Sequence, residues 1–173
     1  MDDLVLVAPT MAWEAEILSF KAECMAGDQP MNRMGGLFEF EGVQDWLDFC
    51  HSKASEETCP EGSVPDNTWL CVRGDRLVGM LNIRHRLNDF LLQYGGHVGY
   101  SIRPKERGKG YARRQLRLGL DKCRELGLPR VLLTCDENNS RSRRTIEGCG
   151  GVYEDSRTKP DGAIMRRYWI QLT

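Results

Sequence analysis

Ile102-Arg103-Pro104-Lys105-Glu106-Arg107-Gly108-Lys109-Gly110-Tyr111-Ala112 joins the end of an apolar strand to the start of a helix through a glycine-rich basic turn. Glycines at 108 and 110 let the backbone approach a ligand closely. The first N–H groups of a helix opening near Tyr111 have no intrahelical acceptors, so they point at whatever anion sits there. Lys105, Arg107 and Lys109 add positive charge at the same place. The turn is thus suited to a pyrophosphate. Two phosphate loops with similar parts do not fit. A P-loop needs Gly-Lys followed by Ser or Thr, whereas Gly108-Lys109 is followed by Gly110. A dinucleotide fingerprint needs a third glycine where the chain has Arg113.

On either side of the turn the pattern is that of alternating strands and helices. Residues 96–102 supply the strand that enters it. The helix beyond has apolar residues at 112, 116, 120 and 123 and stops at Gly127, with Pro129 just past it. Residues 130–135 form an apolar-centred strand of the kind buried on both faces. Strand, helix and strand predict a βαβ unit with parallel strands and a right-handed crossover. A second helix spans about 139–149, and two closing strands, 152–154 and 163–172, flank a turn at Lys159-Pro160-Asp161-Gly162. Upstream, residues 4–7 read as a strand, and residues 13–26 as an amphipathic helix with Trp13, Ile17, Phe20 and Cys24 on one side. Residues 43–53 read as a further helix. Residues 68–72 and 77–83 form a hairpin across Gly74-Asp75. The polar run 55–67 reads as an exposed loop, the best place for length variation or a mobile lid.

Composition narrows the class. A chain of 173 residues with four Trp has material for one domain, 1–173, with a real core. No apolar run is long enough to span a bilayer, and Met1-Asp2-Asp3-Leu4-Val5 lacks the basic start and long apolar stretch of a secretory signal, so a cytoplasmic protein is expected. Seven cysteines, none closer than nine residues to the next, suggest neither a disulfide framework nor a metal knuckle, and no metal site is expected. The net charge of −1 hides a division: residues 1–75 carry 15 acids and 4 bases, and residues 76–173 carry 10 acids and 20 bases. Such a division suits an anionic cofactor on one side and a cationic acceptor on the other.

Arg107-x-x-Gly110-x-Ala112 resembles the Arg/Gln-x-x-Gly-x-Gly/Ala acetyl-CoA signature of the GNAT superfamily of N-acetyltransferases. Asn139-x-x-Ser142-x-x-x-Ile146-Glu147-x-x-Gly150 resembles that family's Asn-x-x-Ala/Ser segment. The order of elements over most of the chain is that of the same family. The resemblance implies an α/β fold with a central mixed β-sheet flanked by helices. It also implies direct attack of a primary amine, on a small molecule or a protein, on the thioester of acetyl-CoA. Main-chain groups of Tyr100, Ile102 and Arg103 are then expected along the pantetheine. Arg107, Gly108, Lys109, Gly110, Tyr111 and Ala112 are expected around the pyrophosphate, Asn139 and Ser142 on the pantetheine from the facing helix, and Arg143 or Arg144 near a CoA phosphate.

In two respects the chain departs from the family pattern. Ile146 stands where many members have the Tyr that protonates the departing thiolate. A water, Tyr153 or another hydroxyl is left to supply that proton. Gly95-Gly96 replaces the early-strand glutamate that serves some relatives as base. His97, which follows, is the candidate base by type and place, ahead of His85, with His51 lacking context. Two other classes remain open at this stage. One is a catalytically silent acyl-CoA-binding module. The other, a nucleic-acid-binding domain, is suggested by seven basic residues from Arg103 to Arg117 and disfavoured by the lack of any aromatic series or reader motif. Nucleic-acid and membrane partners are not expected. A homodimer through the last strand, with Trp169 and Ile170, is open.

Overall fold

The computed structural model describes residues 3–27 and 34–173. Its strands are β1 (Leu4–Val7), β2 (Asp66–Arg73), β3 (Arg76–Arg84), β4 (Val98–Ile102), β5 (Arg130–Asp136), β6 (Val152–Thr158) and β7 (Ile164–Gln171). Its α-helices are α1 (Glu14–Met25), α2 (Val43–Ser52), α3 (Tyr111–Glu125) and α4 (Ser140–Gly148). The expected order of elements is found throughout. Differences lie at the ends: β6 runs four residues further than its apolar start indicates, because β7 pairs with it as far as Thr158.

Strand pairing differs from the expectation in a way that matters. The strands form two sheets, in the orders β1-β2-β3-β4 and β5-β7-β6, and every paired neighbour among the described residues is antiparallel. The expected βαβ unit exists as strand, helix and strand, but β4 and β5 are not ladder partners, so the predicted mixed central sheet is two antiparallel sheets meeting at a seam. Among the described residues their main chains are hydrogen-bonded at one end. His97 N–H donates to Leu132 O at 2.7 Å, and Leu132 N–H donates to His97 Nδ1 at 2.9 Å. Gly96 makes this contact possible. Its φ is +69°, and a Cβ there would lie 2.5 Å from Leu132 O, so a side chain would push the strands apart. Beyond this pin β5 takes β7 as its neighbour, and among the described strands β4 pairs with β3 alone, which makes its other side the edge of the sheet.

Apolar residues divide across the sheets as strand alternation requires. Ile17, Phe20, Trp46, Leu47, Leu70, Leu77 and Met80 pack α1 and α2 on one face of the first sheet. Leu81, Ile83, Val98, Leu116, Leu120, Val131, Leu133, Ile146 and Tyr168 fill the space between its other face, α3, α4 and the second sheet. β3 serves both cores, which is why its run is almost continuously apolar and buried.

The polar segment read as a mobile lid is instead tied down. Asp66 and Asn67 belong to β2. The buried ammonium of Lys53 draws the rest inward: it donates to Val64 O at 2.8 Å and to Ser63 Oγ, and lies 3.5 Å from Asp66 Oδ2. Arg86 grips Glu56 through two bonds of 2.6 and 3.2 Å. A buried cation needs its acceptors close, so the loop wraps around Lys53 and does not hang over a cleft.

Candidate active site

The glycine-rich basic turn follows β4 directly. Pro104–Glu106 form a single 3-10 turn closed by Glu106 N–H on Arg103 O at 2.8 Å. Gly108 and Gly110 then take φ of +78° and +80°, a region that side chains rarely enter. Gly110 is the left-handed residue ahead of α3, and no side chain caps that helix. The first intrahelical bond is Arg114 N–H to Gly110 O at 3.5 Å. The N–H groups of Tyr111, Ala112 and Arg113 therefore precede any helical acceptor and face the turn. Glu106 organises the charge beside them, accepting from Arg76 Nε at 2.6 Å and Lys109 Nζ at 2.8 Å. Those two donors hold its carboxyl below the usual range against the opposing effect of burial. Arg107 is part-exposed and Lys105 exposed at the mouth of the turn.

The free edge of β4 leads into this turn. Arg103 N–H donates to Val78 O at 2.8 Å, and Arg84 N–H donates to His97 O at 2.7 Å. With Gly79 opposite Ile102 and Asn82 opposite Gly99, antiparallel alternation turns the main-chain groups of Gly99 and Ser101 toward β3. Those of Tyr100 and Ile102 point the other way, toward the side where β5 departs. Two of the three expected pantetheine positions thus turn their main-chain groups away from β3. Arg103 does not. Its N–H is used by β3, and its side chain, 1% exposed, is a brace between elements. The guanidinium donates to Glu23 Oε2 at 2.8 Å, Glu16 Oε2 at 3.0 Å, Leu77 O at 2.9 Å and Ser19 Oγ. Glu23 also accepts Lys105 N–H at 2.7 Å. Burial acts to raise the Glu23 pKa, yet these bonds hold it below its ordinary value. Arg103 therefore fastens α1 to the turn, and its expected place on the ligand is corrected.

Across the seam stands α4. Asn139 Oδ1 caps it by accepting Ser142 N–H at 3.1 Å. Ser142 Oγ pairs with the Tyr100 hydroxyl at 2.8 Å, and burial lifts that phenol to about 12, so it stays protonated. Ser142 thus meets β4 through Tyr100, and it and Asn139 both shape the helix start. Arg143 is part-exposed and Arg144 exposed on the same helix. Ile146 is 0% exposed and belongs to the core. Tyr153 is 45% exposed on β6, its hydroxyl 2.8 Å from Ser156 Oγ.

His97 is corrected as a base. It is 6% exposed, its Nδ1 is occupied by Leu132 N–H, and burial, with the charges of Arg84 and Arg130, lowers its pKa to about 4. Its ring pins the two sheets together. His85 is tied to Asn67 Oδ1 at 2.6 Å and is lowered by burial, while His51 is exposed in the last turn of α2.

Beside the pin lies a polar group that sequence reasoning did not single out. Asp66, Thr68, Asn82 and Arg84 occupy one face of β2 and β3 next to Gly99. Asn82 Nδ2 donates to Thr68 Oγ1 at 3.1 Å, and Arg84 Nη1 reaches Gly95 O and Gly96 O at 3.3 and 3.4 Å. Burial raises the Asp66 pKa, with Lys53 opposing. The available signal was the i, i+2 pair Asn82 and Arg84 inside an otherwise apolar strand. None of the seven thiols is in a disulfide. Burial pushes Cys24 and Cys135 up to about 11 and Cys50, Cys71 and Cys123 to about 12, which leaves them unreactive. Among the described residues no three His, Cys, Asp or Glu side chains gather in a way that would hold a metal ion, and no helix is long and apolar enough to cross a membrane.

Two antiparallel sheets splayed from a single pin, with a glycine turn and an uncapped helix at the end of the free edge, define an acyl-CoA-type transferase fold. The profile of the acetyltransferase (GNAT) domain matches residues 5–152, so the chain belongs to the GNAT acetyltransferase family and is a transferase. No curated protein matches the sequence significantly. Solved structures share the fold at low identity. The ribosomal-protein-S5-alanine acetyltransferase of Vibrio fischeri has a TM-score of 0.72 at 17% identity, covering 96% of this chain and 91% of that one. Salmonella typhimurium yncA, solved with its cofactor acetyl-CoA, has 0.64 at 15%, covering 98% and 94%. Mutant forms of the spermidine/spermine N-acetyltransferase SpeG of Vibrio cholerae have 0.64 at 17%, covering 98% and 95%.

Proposed function

We propose that the protein transfers the acetyl group of acetyl-CoA to a primary amine by direct attack, without an acyl-enzyme. The observation that carries this reading is the alignment of the free edge of β4 with the uncapped start of α3. Pantetheine adds to Tyr100 and Ile102 as an extra strand, and the pyrophosphate sits on N–H groups of residues 108–112, with Arg107 and Lys109 beside it. Asn139 and Ser142 close on the pantetheine from α4. A main-chain N–H of the β4 edge polarises the thioester carbonyl and stabilises the oxyanion as the amine adds. The tetrahedral intermediate then collapses, the C–S bond breaks and CoA leaves as thiolate.

Both proton transfers are assigned to water. His97 is locked and weakly basic, Ile146 is sealed in the core, and Tyr153 is turned to Ser156 on the outer strand. The rate is therefore expected to rise with pH until the acceptor amine is neutral, with no break near the ordinary histidine pKa. The buried Ile146 favours one other reading, a silent acyl-CoA-binding module.

Calorimetric titration with acetyl-CoA, followed by thiol release in the presence of an amine panel, tests both. One-to-one binding with turnover is expected. Binding without turnover of any amine would leave the silent module, and no binding by folded protein would remove both.

A further inference from the structure

Arg84 ends β3 next to the pin between the sheets, and its guanidinium is paired unlike the other deeply placed ones. Arg103 has Glu16 and Glu23, and Arg167 has Glu154 and Asp155. Among the described residues no carboxylate lies within 4.0 Å of Arg84. It reaches only two main-chain carbonyls, Gly95 O and Gly96 O, at the long distances of 3.3 and 3.4 Å. Asp66 acts on it through space but is already within 3.5 Å of Lys53. Lys53 and Arg84 against Asp66 leave one positive charge in excess, and His97 adds a neutral ring. Among the described residues this part-buried cation lacks the anion that its desolvation calls for.

Its position decides what that anion belongs to. The guanidinium lies over Gly99, where a Cβ would meet Nη2 at 3.4 Å and Nη1 at 3.5 Å. With glycine there, no side chain of β4 stands between that strand and the guanidinium, one residue before Tyr100 on the edge assigned to the thioester. A ligand that neutralises Arg84 is therefore brought alongside the acetyl group. We propose that Arg84 anchors the acceptor, and that the acceptor is a small amine carrying a carboxylate, an amino acid, whose carboxylate pairs with the guanidinium while its amine faces the thioester. This rests on the acetyl-transfer reading. The local excess charge reverses what the acidic N-terminal half suggests for the acceptor, because a polyamine would bring further positive charge against Arg84.

Kinetics with matched pairs test the anchor: each of the twenty amino acids and its carboxamide, with spermidine as polyamine control. Each pair differs in the carboxylate and shares its side chain. For the acids that are turned over, kcat/KM is expected to exceed that of the amide by about tenfold or more, the scale of a charge-assisted bidentate pair. In Arg84→Gln that ratio falls toward one, while acetyl-CoA affinity by calorimetry stays as in the wild type. Arg84→Lys retains part of the ratio. Because the wild-type ratio needs no variant, failure of Arg84→Gln to fold does not remove the test. Equal turnover of acids and amides, turnover of spermidine but not of amino acids, or a ratio that survives in Arg84→Gln overturns the anchor and leaves acetyl transfer standing. If no amine is turned over, calorimetry of the N-acetylated acids and amides into protein saturated with CoA decides: acid-selective binding that Arg84→Gln abolishes supports the anchor, and its absence overturns it. Failure to bind acetyl-CoA defeats the acetyl-transfer reading itself.

Discussion

At the α3 end of the site the groups that face outward are main-chain N–H groups, set by Gly108 and Gly110. At the β3 end they are side chains, Asp66, Asn82 and Arg84, set on the paired strands β2 and β3. The first arrangement tolerates many neighbouring side chains because the backbone does the binding, and it is written in sequence as glycines at fixed spacing. The second depends on which charges are left without partners, and only the folded structure decides that. Arg103 links the two, since it joins α1, which covers the β3 face, to the turn that opens α3.

Breaking that link is expected to have the largest effect. Arg103→Ala leaves Glu16 and Glu23 facing a buried gap and removes the donor to Leu77 O. A loss of about 3–5 kcal/mol is expected, the range for breaking a buried pair from one side. Urea unfolding measures it, and a loss under about 1 kcal/mol would show that the two ends are held independently. Arg103→Lys keeps the charge without the fork and should fall between.

The pin at the seam gives the next effect. His97 has a folded pKa of about 4 against an ordinary 6.5, so the unfolded chain binds the proton more readily between those values. Stability should be fully present above about pH 6.5 and decline as pH falls toward 4, by roughly 3 kcal/mol from this group. His97→Asn keeps an acceptor within reach of Leu132 N–H and does not titrate. Its stability curve should lack that decline, whatever its absolute height. The same variant should keep the pH dependence of acetyl transfer seen in the wild type, and a shifted rate profile would restore His97 to the chemistry.

The α3 end is sharpened by Gly110→Ala. A φ of +80° costs a residue with a Cβ roughly 1–2 kcal/mol, paid either in stability or by a turn that relaxes away from the ligand. Open space surrounds the added methyl, so relaxation of φ is the easier route. Acetyl-CoA affinity should then fall about tenfold while the unfolding midpoint moves little. A large drop in stability with unchanged affinity would mean that the turn is structural only.

How much of this was legible beforehand follows from the same contrast. The glycine turn, α3 and the strands around it are local features, and each was readable from residue type and spacing. The single pin at which β4 and β5 meet was not, because it depends on Gly96 meeting Leu132, residues 36 positions apart in the chain. Arg103 illustrates the limit most clearly: it lies inside the basic turn that the sequence offers to a phosphate, yet Glu16, Glu23 and Leu77 claim its side chain from distant segments. Lys53 and His97 were obscured in the same way. A polar residue's role is set by whichever acceptor the fold brings to it.

Asn139 offers the smallest effect and a means of separating two roles in one residue. Its Oδ1 caps α4 through Ser142 N–H, a role that any good capping side chain fills. Its amide is also the group assigned to pantetheine, and that role needs a donor. Asn139→Ala should cost about 1 kcal/mol of stability and weaken acetyl-CoA binding as well. Asn139→Asp retains the cap and the favourable charge at a helix start but has no N–H to donate. If the residue serves both purposes, the Asp variant keeps wild-type stability and shares the affinity loss of the Ala variant. If Asn139 is only a cap, affinity follows stability in both variants, and the α4 side of the cofactor site rests on Ser142 alone.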